Sequence, residues 1–209
     1  MQHATPMVFV VDDDISVSES LEAPIRCEGW EPEAFASAQE FLTRPRVVTP
    51  SCLILDVDLP DLNGLDLQKC IASDRKNMPI MFITGHGDVP MTVRAMKAGA
   101  VEFLMKPLND EALLSAVRHS IERSTVALRR ETETGTLRDC YASLTPREKE
   151  VLVLVVSGLS NKQVGAELGI SEITVKAHRG RVMQKMQAES LPGLVKRATR
   201  LRLTPAHRA

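Results

Sequence analysis

No stretch of this sequence stays apolar for long. The longest unbroken runs, Met7–Val11 and Val151–Val156, fall far short of the ~18 residues needed to span a bilayer. The first residues carry no basic segment ahead of an apolar core, so no secretory signal is expected. The four cysteines, Cys27, Cys52, Cys70 and Cys140, form no Cys-x-x-C pair and have no histidine at ligand spacing. That argues against zinc fingers and disulfide frameworks and for reduced thiols in a cytoplasmic protein. Net charge is also scarce, at −1 over 209 residues. A membrane partner is not expected.

That small net charge conceals an asymmetry. Residues 1–124 hold 11 Lys and Arg against 19 Asp and Glu, a balance of −8. Residues 125–142 hold three of each, and residues 143–209 hold 12 against five, a balance of +7. With 44% hydrophobic and 25% charged residues the chain is globular, and its length suits two domains of roughly 100–150 residues each. An acidic half joined to a basic half points to different partners, a polyanion among them for the second.

In the first half, apolar runs at Met7–Val11, Glu31–Phe35, Cys52–Leu55, Ile80–Ile83 and Val101–Met105 read as strands. Stretches of helical spacing alternate with them, at Ser16–Arg26, Ala38–Thr43, Leu65–Ser73, Val89–Lys97 and Glu111–Arg123. Strand and helix alternating five times predict an α/β fold, a doubly wound five-stranded parallel sheet with helices on both faces. Pro24 is expected to kink the first helix. Leu114, Ile121 and Leu128 extend the last helical pattern, and Thr132–Thr136, with Gly135, is expected to break it. Residues 125–142 are read as a partly helical linker.

From Leu144 the strand signals vanish. Thr145-Pro146-Arg147-Glu148 sets out a capping box with proline at the first helical position. Ser160-Asn161-Lys162-Gln163 repeats the device, and that second helix ends near Gly169. Ser171 opens a third helix running to about Gln187, and Ser190 a fourth. Two helices separated only by Gly169-Ile170 make a helix-turn-helix inside a small all-α, four-helix domain over residues 143–209.

The chemistry of the first domain, residues 1–124, gathers at its strand ends. Asp12-Asp13-Asp14 follows the first strand, Asp56 ends the third, Thr84 the fourth and Lys106 the fifth. In a doubly wound sheet ligands bind beyond the strands' carboxyl ends, so these side chains should converge. Two carboxylates about 4 Å apart repel by roughly 4 kcal/mol at an effective dielectric of 20, so the cluster needs a cation or must take up protons. Hard oxygen ligands suit Mg²⁺. A carboxylate beside a bound cation, a lysine and a hydroxyl suits attack on a phosphoryl group and storage of an acyl phosphate.

With these residues the chain resembles two-component response regulators of the NarL/FixJ type, a flavodoxin-like receiver followed by a LuxR-type DNA-binding domain. Phe82-Ile83-Thr84-Gly85-His86-Gly87-Asp88, Met96-Lys97-Ala98-Gly99-Ala100 and Ser190-Leu191-Pro192 place it nearest the FixJ-like branch. The resemblance implies that Asp56 is the phospho-acceptor, loaded by a sensor histidine kinase. It makes Asp13 a direct Mg²⁺ ligand, Asp12 an outer one, and the backbone carbonyl of Asp58 a third. It makes Thr84 and Lys106 phosphoryl contacts, Phe103 the aromatic that turns inward on activation, and Lys106-Pro107 a cis bond. Phosphorylation is expected to produce a homodimer. The carboxylate of Asp58 has no settled role in this pattern.

In the second domain the third helix presents Lys176, His178, Arg179, Arg181 and Lys185, with Ile173, Val175, Val182, Met183 and Met186 as apolar contacts. The resemblance turns Thr174, Lys176, Ala177, His178 and Arg181 toward double-stranded DNA and Asn161 and Lys162 toward its backbone. It implies RNA polymerase as a further partner. The expected function is a phosphorylation-switched transcription regulator, not an enzyme. The alternative is a phosphohydrolase of the haloacid dehalogenase type, because Asp56-x-Asp58 is similar to that superfamily's nucleophile motif. There the motif follows the first strand of the fold, whereas here it follows the third.

Overall fold

The computed structural model describes residues 5–203. It divides into two compact units, residues 1–129 and 130–209. Residues 1–4 and 204–209, at the outer ends of the two expected domains, lie outside the described residues.

The first unit carries five strands, β1 (Met7–Val11), β2 (Glu31–Phe35), β3 (Ser51–Asp56), β4 (Ile80–Thr84) and β5 (Glu102–Met105). All pair in parallel, in the order β2-β1-β3-β4-β5. Between them lie α1 (Ile15–Cys27), α2 (Ala38–Thr43), α3 (Gly64–Ile71) and α4 (Val89–Lys97), and α5 (Asp110–Ala142) follows β5. Because strand side chains alternate between faces, Phe9 and Val11 pack with Phe41, Leu67, Ile71 and Ala95 from α2, α3 and α4. Val8 and Val10 pack instead with Leu21, Ile25, Leu113 and Val117 from α1 and α5. Both faces are covered, which is why β3 and β4 read as continuous apolar runs rather than alternating ones.

One expectation is corrected. The helix pattern does not break at Thr132–Thr136; α5 is one helix of 33 residues, so residues 125–142 are helical throughout. Gly135 costs about 1 kcal/mol there. Around it, Thr134 and Thr136 return their hydroxyls to the carbonyls of Arg130 and Thr132, Leu137 is buried, and Arg200 bonds Glu133 at 2.7 Å. Pro24, expected to kink α1, lies inside that helix, three residues before its end. The carbonyl it leaves without an amide belongs to Ser20, which is exposed to solvent.

The second unit adds α6 (Pro146–Val156), α7 (Asn161–Leu168), α8 (Glu172–Lys185) and α9 (Leu191–Arg200) around Val151, Leu152, Val155, Val164, Val175, Val182 and Leu194. Both capping boxes form. Gly169 ends α7 in the left-handed conformation, φ 67°, which glycine adopts without steric cost, and that turns the chain into α8.

Glu148 does more than cap α6. It is buried, accepts from the Thr145 amide at 2.9 Å and pairs with Lys185 Nζ at 2.7 Å. The hydrogen bond from Lys185, then that from Thr145, holds its carboxyl below the usual carboxylate range. A group depressed in the folded state stabilises above its unfolded pKa and loses that contribution as pH falls through the lowered value. Glu148→Gln is therefore expected to lower the opening free energy of α6 and α8 by about 1–2 kcal/mol at neutral pH. Hydrogen exchange measures it; a deficit as large at strongly acidic pH as at neutral would contradict the assigned charge.

Candidate functional site

Four of the five strands deliver a polar side chain to one edge of the sheet. Carboxylate oxygens of Asp12, Asp13 and Asp56 come within 4.8 Å of one another. Asp12 and Asp56 are buried, at 1% and 5% exposure, whereas Asp13 is exposed. Lys106, carried in just past β5, bridges the buried pair, with Nζ 2.7 Å from Asp12 Oδ2 and 2.6 Å from Asp56 Oδ2. The other Asp56 oxygen, Oδ1, accepts from the Asp58 amide at 3.0 Å, and Asp12 Oδ1 from the Asp14 amide at 2.9 Å.

Burial pushes the Asp12 carboxyl up, against the opposing pull of Lys106. The Lys106 ammonium is depressed by burial, but hydrogen bonds to Asp12 and Asp56 outweigh that and hold it above its ordinary value. One cation thus serves two buried anions, with a third carboxylate adjacent. This set of hard oxygen donors, open to solvent on the Asp13 side, fits a divalent cation such as Mg²⁺.

Asp14, the third member of the run, belongs elsewhere. It caps α1 by accepting from the Ser16 amide at 2.9 Å. Asp58 also keeps its carboxylate out of the acidic cluster: Thr84, fully buried, donates its hydroxyl to Asp58 Oδ2 at 3.2 Å and accepts from the His86 amide at 3.1 Å. Sequence reasoning left that side chain without a role. Here it is the acceptor for the hydroxyl at the end of β4.

Phe103 on β5 is half-buried, its ring 6.2 Å from that of Phe82. A side chain at Gly87 would strike Phe103, Met105 and the methyl group of Thr84, so the β4–α4 loop lies directly on both the aromatic and the threonine. Lys106-Pro107 is cis, as the resemblance implied.

In the second unit α8 turns Val175 and Val182 into the core and leaves Thr174, Lys176, Ala177 and Arg181 exposed. Lys176 rests 3.2 Å from Glu172 one turn back. Lys162 at the start of α7 is exposed, while Asn161 is half-buried and accepts from Arg179 at 3.1 Å. Arg179 therefore fixes α8 against α7, a positioning role that sequence spacing did not reveal. Lys185 is drawn inward by Glu148, away from the free cationic face on which it was expected. His178 is half-buried, with Nδ1 enclosed and unpartnered. Ile173, expected as a packing contact, is instead 80% exposed.

The sequence matches the response regulator receiver domain family over residues 8–118 and the bacterial regulatory proteins of the luxR family over residues 142–198. It is 49% identical to nodulation protein W of Bradyrhizobium diazoefficiens over 96% of this chain and 88% of that protein. It is 41% identical to the transcriptional regulatory protein FixJ of Azorhizobium caulinodans over 95% of this chain and 94% of that protein. Among solved structures, the response regulator StyR superposes with a TM-score of 0.84 at 45% identity, over 94% of this chain and 99% of that one.

The chain belongs to the FixJ-like response regulators, with a receiver domain followed by a LuxR-type DNA-binding domain. It is a DNA-binding transcription regulator of the two-component type. The haloacid dehalogenase alternative is set aside: the family matches cover both units, and the Asp56-x-Asp58 motif follows β3, with the Asp run already at β1. No helix among the described residues is long and apolar enough to cross a membrane.

Proposed function

We propose that Asp56 is the phospho-acceptor and that its loading switches DNA binding by the second unit. The observation that supports this most is Lys106 bridging Asp12 and Asp56 at 2.7 and 2.6 Å. A carboxylate oxygen of Asp56 attacks the phosphorus carried by a sensor kinase histidine. An O–P bond forms, the N–P bond breaks, and its electron pair returns to the imidazole. A bound Mg²⁺ would neutralise charge on the transferred group; Asp13, Asp56 and the backbone carbonyl of Asp58 would hold it, with Asp12 outside them. Lys106 then stands beside the new phosphoryl oxygens and Thr84 donates its hydroxyl to one of them. The loop at Gly87 follows Thr84, and Phe103 turns into the space released.

Inverting a 1:99 equilibrium needs about 5.5 kcal/mol of differential affinity, within reach of several charge-assisted hydrogen bonds acting together. The exposed apolar side chains Val89, Val93 and Met96 of α4 and Met105 of β5 supply the surface on which two phosphorylated copies pair. In the second unit Thr174, Lys176, Ala177, His178 and Arg181 face the major groove, and Asn161 and Lys162 the phosphates. Lys176 exchanges Glu172 for DNA on binding. Promoter-bound dimers act on RNA polymerase, in the cytoplasm. The domains are assigned as 1–124, the helical connection 125–142 and 143–209.

Selection of binding sites from random DNA, with and without acetyl phosphate, tests the reading. Recovery of one paired sequence, enriched on phosphorylation, is expected; identical recovery from both arms would refute the switch.

The Asp58 carboxylate competes with the phosphoryl group for the Thr84 hydroxyl and adds a negative charge beside it. Asp58→Ala is therefore expected to raise the phosphorylated fraction reached in acetyl phosphate several-fold, read by phosphate-affinity electrophoresis. An unchanged or lower fraction would mean that the carboxylate does not oppose the loaded state.

A further inference from the structure

We infer that Ile173 is a specificity-determining residue that reads the C5 methyl group of a thymine in the operator, an inference that rests on DNA recognition by α8. Among the described residues of the second unit, Ile173 is the most exposed large apolar side chain, at 80%; Leu191, at 37%, is the next. Nothing in its own fold accounts for that. Val175, two residues on and about 200° further round a helix of 100° per residue, is fully buried with Val182. The core thus lies on the opposite side of α8, and Ile173 points into solvent from the helix's first turn.

Its surroundings shape what it can meet. Ala177 and Gly180 follow at four and seven residues, on the same exposed stripe, and a methyl group added at Gly180 would touch nothing. The stripe therefore carries no bulky side chain between Ile173 and the middle of the helix, while the exposed side chains of Lys176 and Arg181 flank it. A helix laid along this stripe approaches base-pair edges closely at its N-terminal end, where base contacts concentrate. The group brought there is apolar, branched and unable to hydrogen bond. In the major groove the one apolar feature of a base edge is the thymine methyl. The contact carries no charge, so it contributes to sequence preference and leaves the salt dependence alone.

The test uses the full chain treated with acetyl phosphate, a site obtained by selection from random DNA, and deoxyuridine placed at each thymine in turn. Deoxyuridine removes only the methyl. For the wild type, one thymine per half-site is expected to lose about fourfold in affinity on replacement, the equivalent of about 0.8 kcal/mol for one buried methylene-sized group. Ile173→Ala is expected to bind the thymine and uridine sites equally, with an unchanged slope of affinity against salt. Equal losses in both proteins at every position, or no sensitive thymine at all, would overturn the inference while leaving DNA recognition by α8 intact. Failure of the wild type to select any sequence would overturn both.

Discussion

Asp56→Asn is expected to abolish phosphoryl uptake completely, to below detection by intact-mass spectrometry after treatment with acetyl phosphate and Mg²⁺. The side chain keeps its size and shape, so the β3 end stays filled: Oδ1 can still accept from the Asp58 amide, as the carboxylate does at 3.0 Å. What disappears is the anion. A carboxamide offers no nucleophilic oxygen able to form an acyl phosphate, and it supplies no negative charge to Lys106 or to a divalent cation. DNA binding by the variant is expected to stay at the unphosphorylated level whether or not acetyl phosphate is present. The outcome discriminates sharply because Asp12 and Asp13 lie within the same cluster. Stoichiometric labelling of Asp56→Asn would move the acceptor to one of them.

The site was legible because its members are strand-end residues in a sheet whose strands announce themselves. Buried parallel strands read as apolar runs, and the first polar residue after each run is where the chain leaves the core. Asp12, Asp56, Thr84 and Lys106 follow from that rule. The two capping boxes were legible for a similar reason, since Thr145 with Glu148 and Ser160 with Gln163 complete their bonds within four residues.

What stayed hidden depends on contacts made across distance. Nothing near Asp58 in sequence says that its carboxylate meets Thr84, 26 positions on. Lys185 looked like one more cation on a basic helix until Glu148, 37 positions earlier, claimed it, and Arg179 is taken out of the free set by Asn161 in the same way. The helix through Gly135 was missed because propensity weighs the glycine, whereas buried Leu137 and the pair between Arg200 and Glu133 are tertiary. Ile173 was misassigned because it was counted with the other apolar residues of α8, although the spacing of Val175 and Val182 sets the core on the opposite side of the helix.

Removing the charge of Lys106 while keeping its stem tests the electrostatics of the site apart from its chemistry. Without the ammonium, buried Asp12 and Asp56 face each other and Asp13 with no fixed cation among the described groups that bridge them. Repulsion of about 4 kcal/mol per close pair at an effective dielectric of 20 is partly relieved by water and by proton uptake. Lys106→Met is therefore expected to destabilise the first unit by about 2–3 kcal/mol at neutral pH in chelator, measured by urea unfolding followed through Trp30. The sign with pH follows from Asp12. Its folded pKa lies above the ordinary value because of burial, and Lys106 is what pulls it down. A group with a raised folded pKa favours folding below its unfolded pKa and loses that contribution as pH rises through the raised value. Taking Lys106 away raises Asp12 further, so the deficit of the variant should grow from mildly acidic to neutral pH. Mg²⁺ should restore more stability to the variant than to the wild type, since the cation then substitutes for the missing ammonium. A deficit independent of both pH and Mg²⁺ would mean that Lys106 contributes packing alone. In that case the bridging ammonium is not what allows two buried carboxylates to remain charged at the end of this sheet.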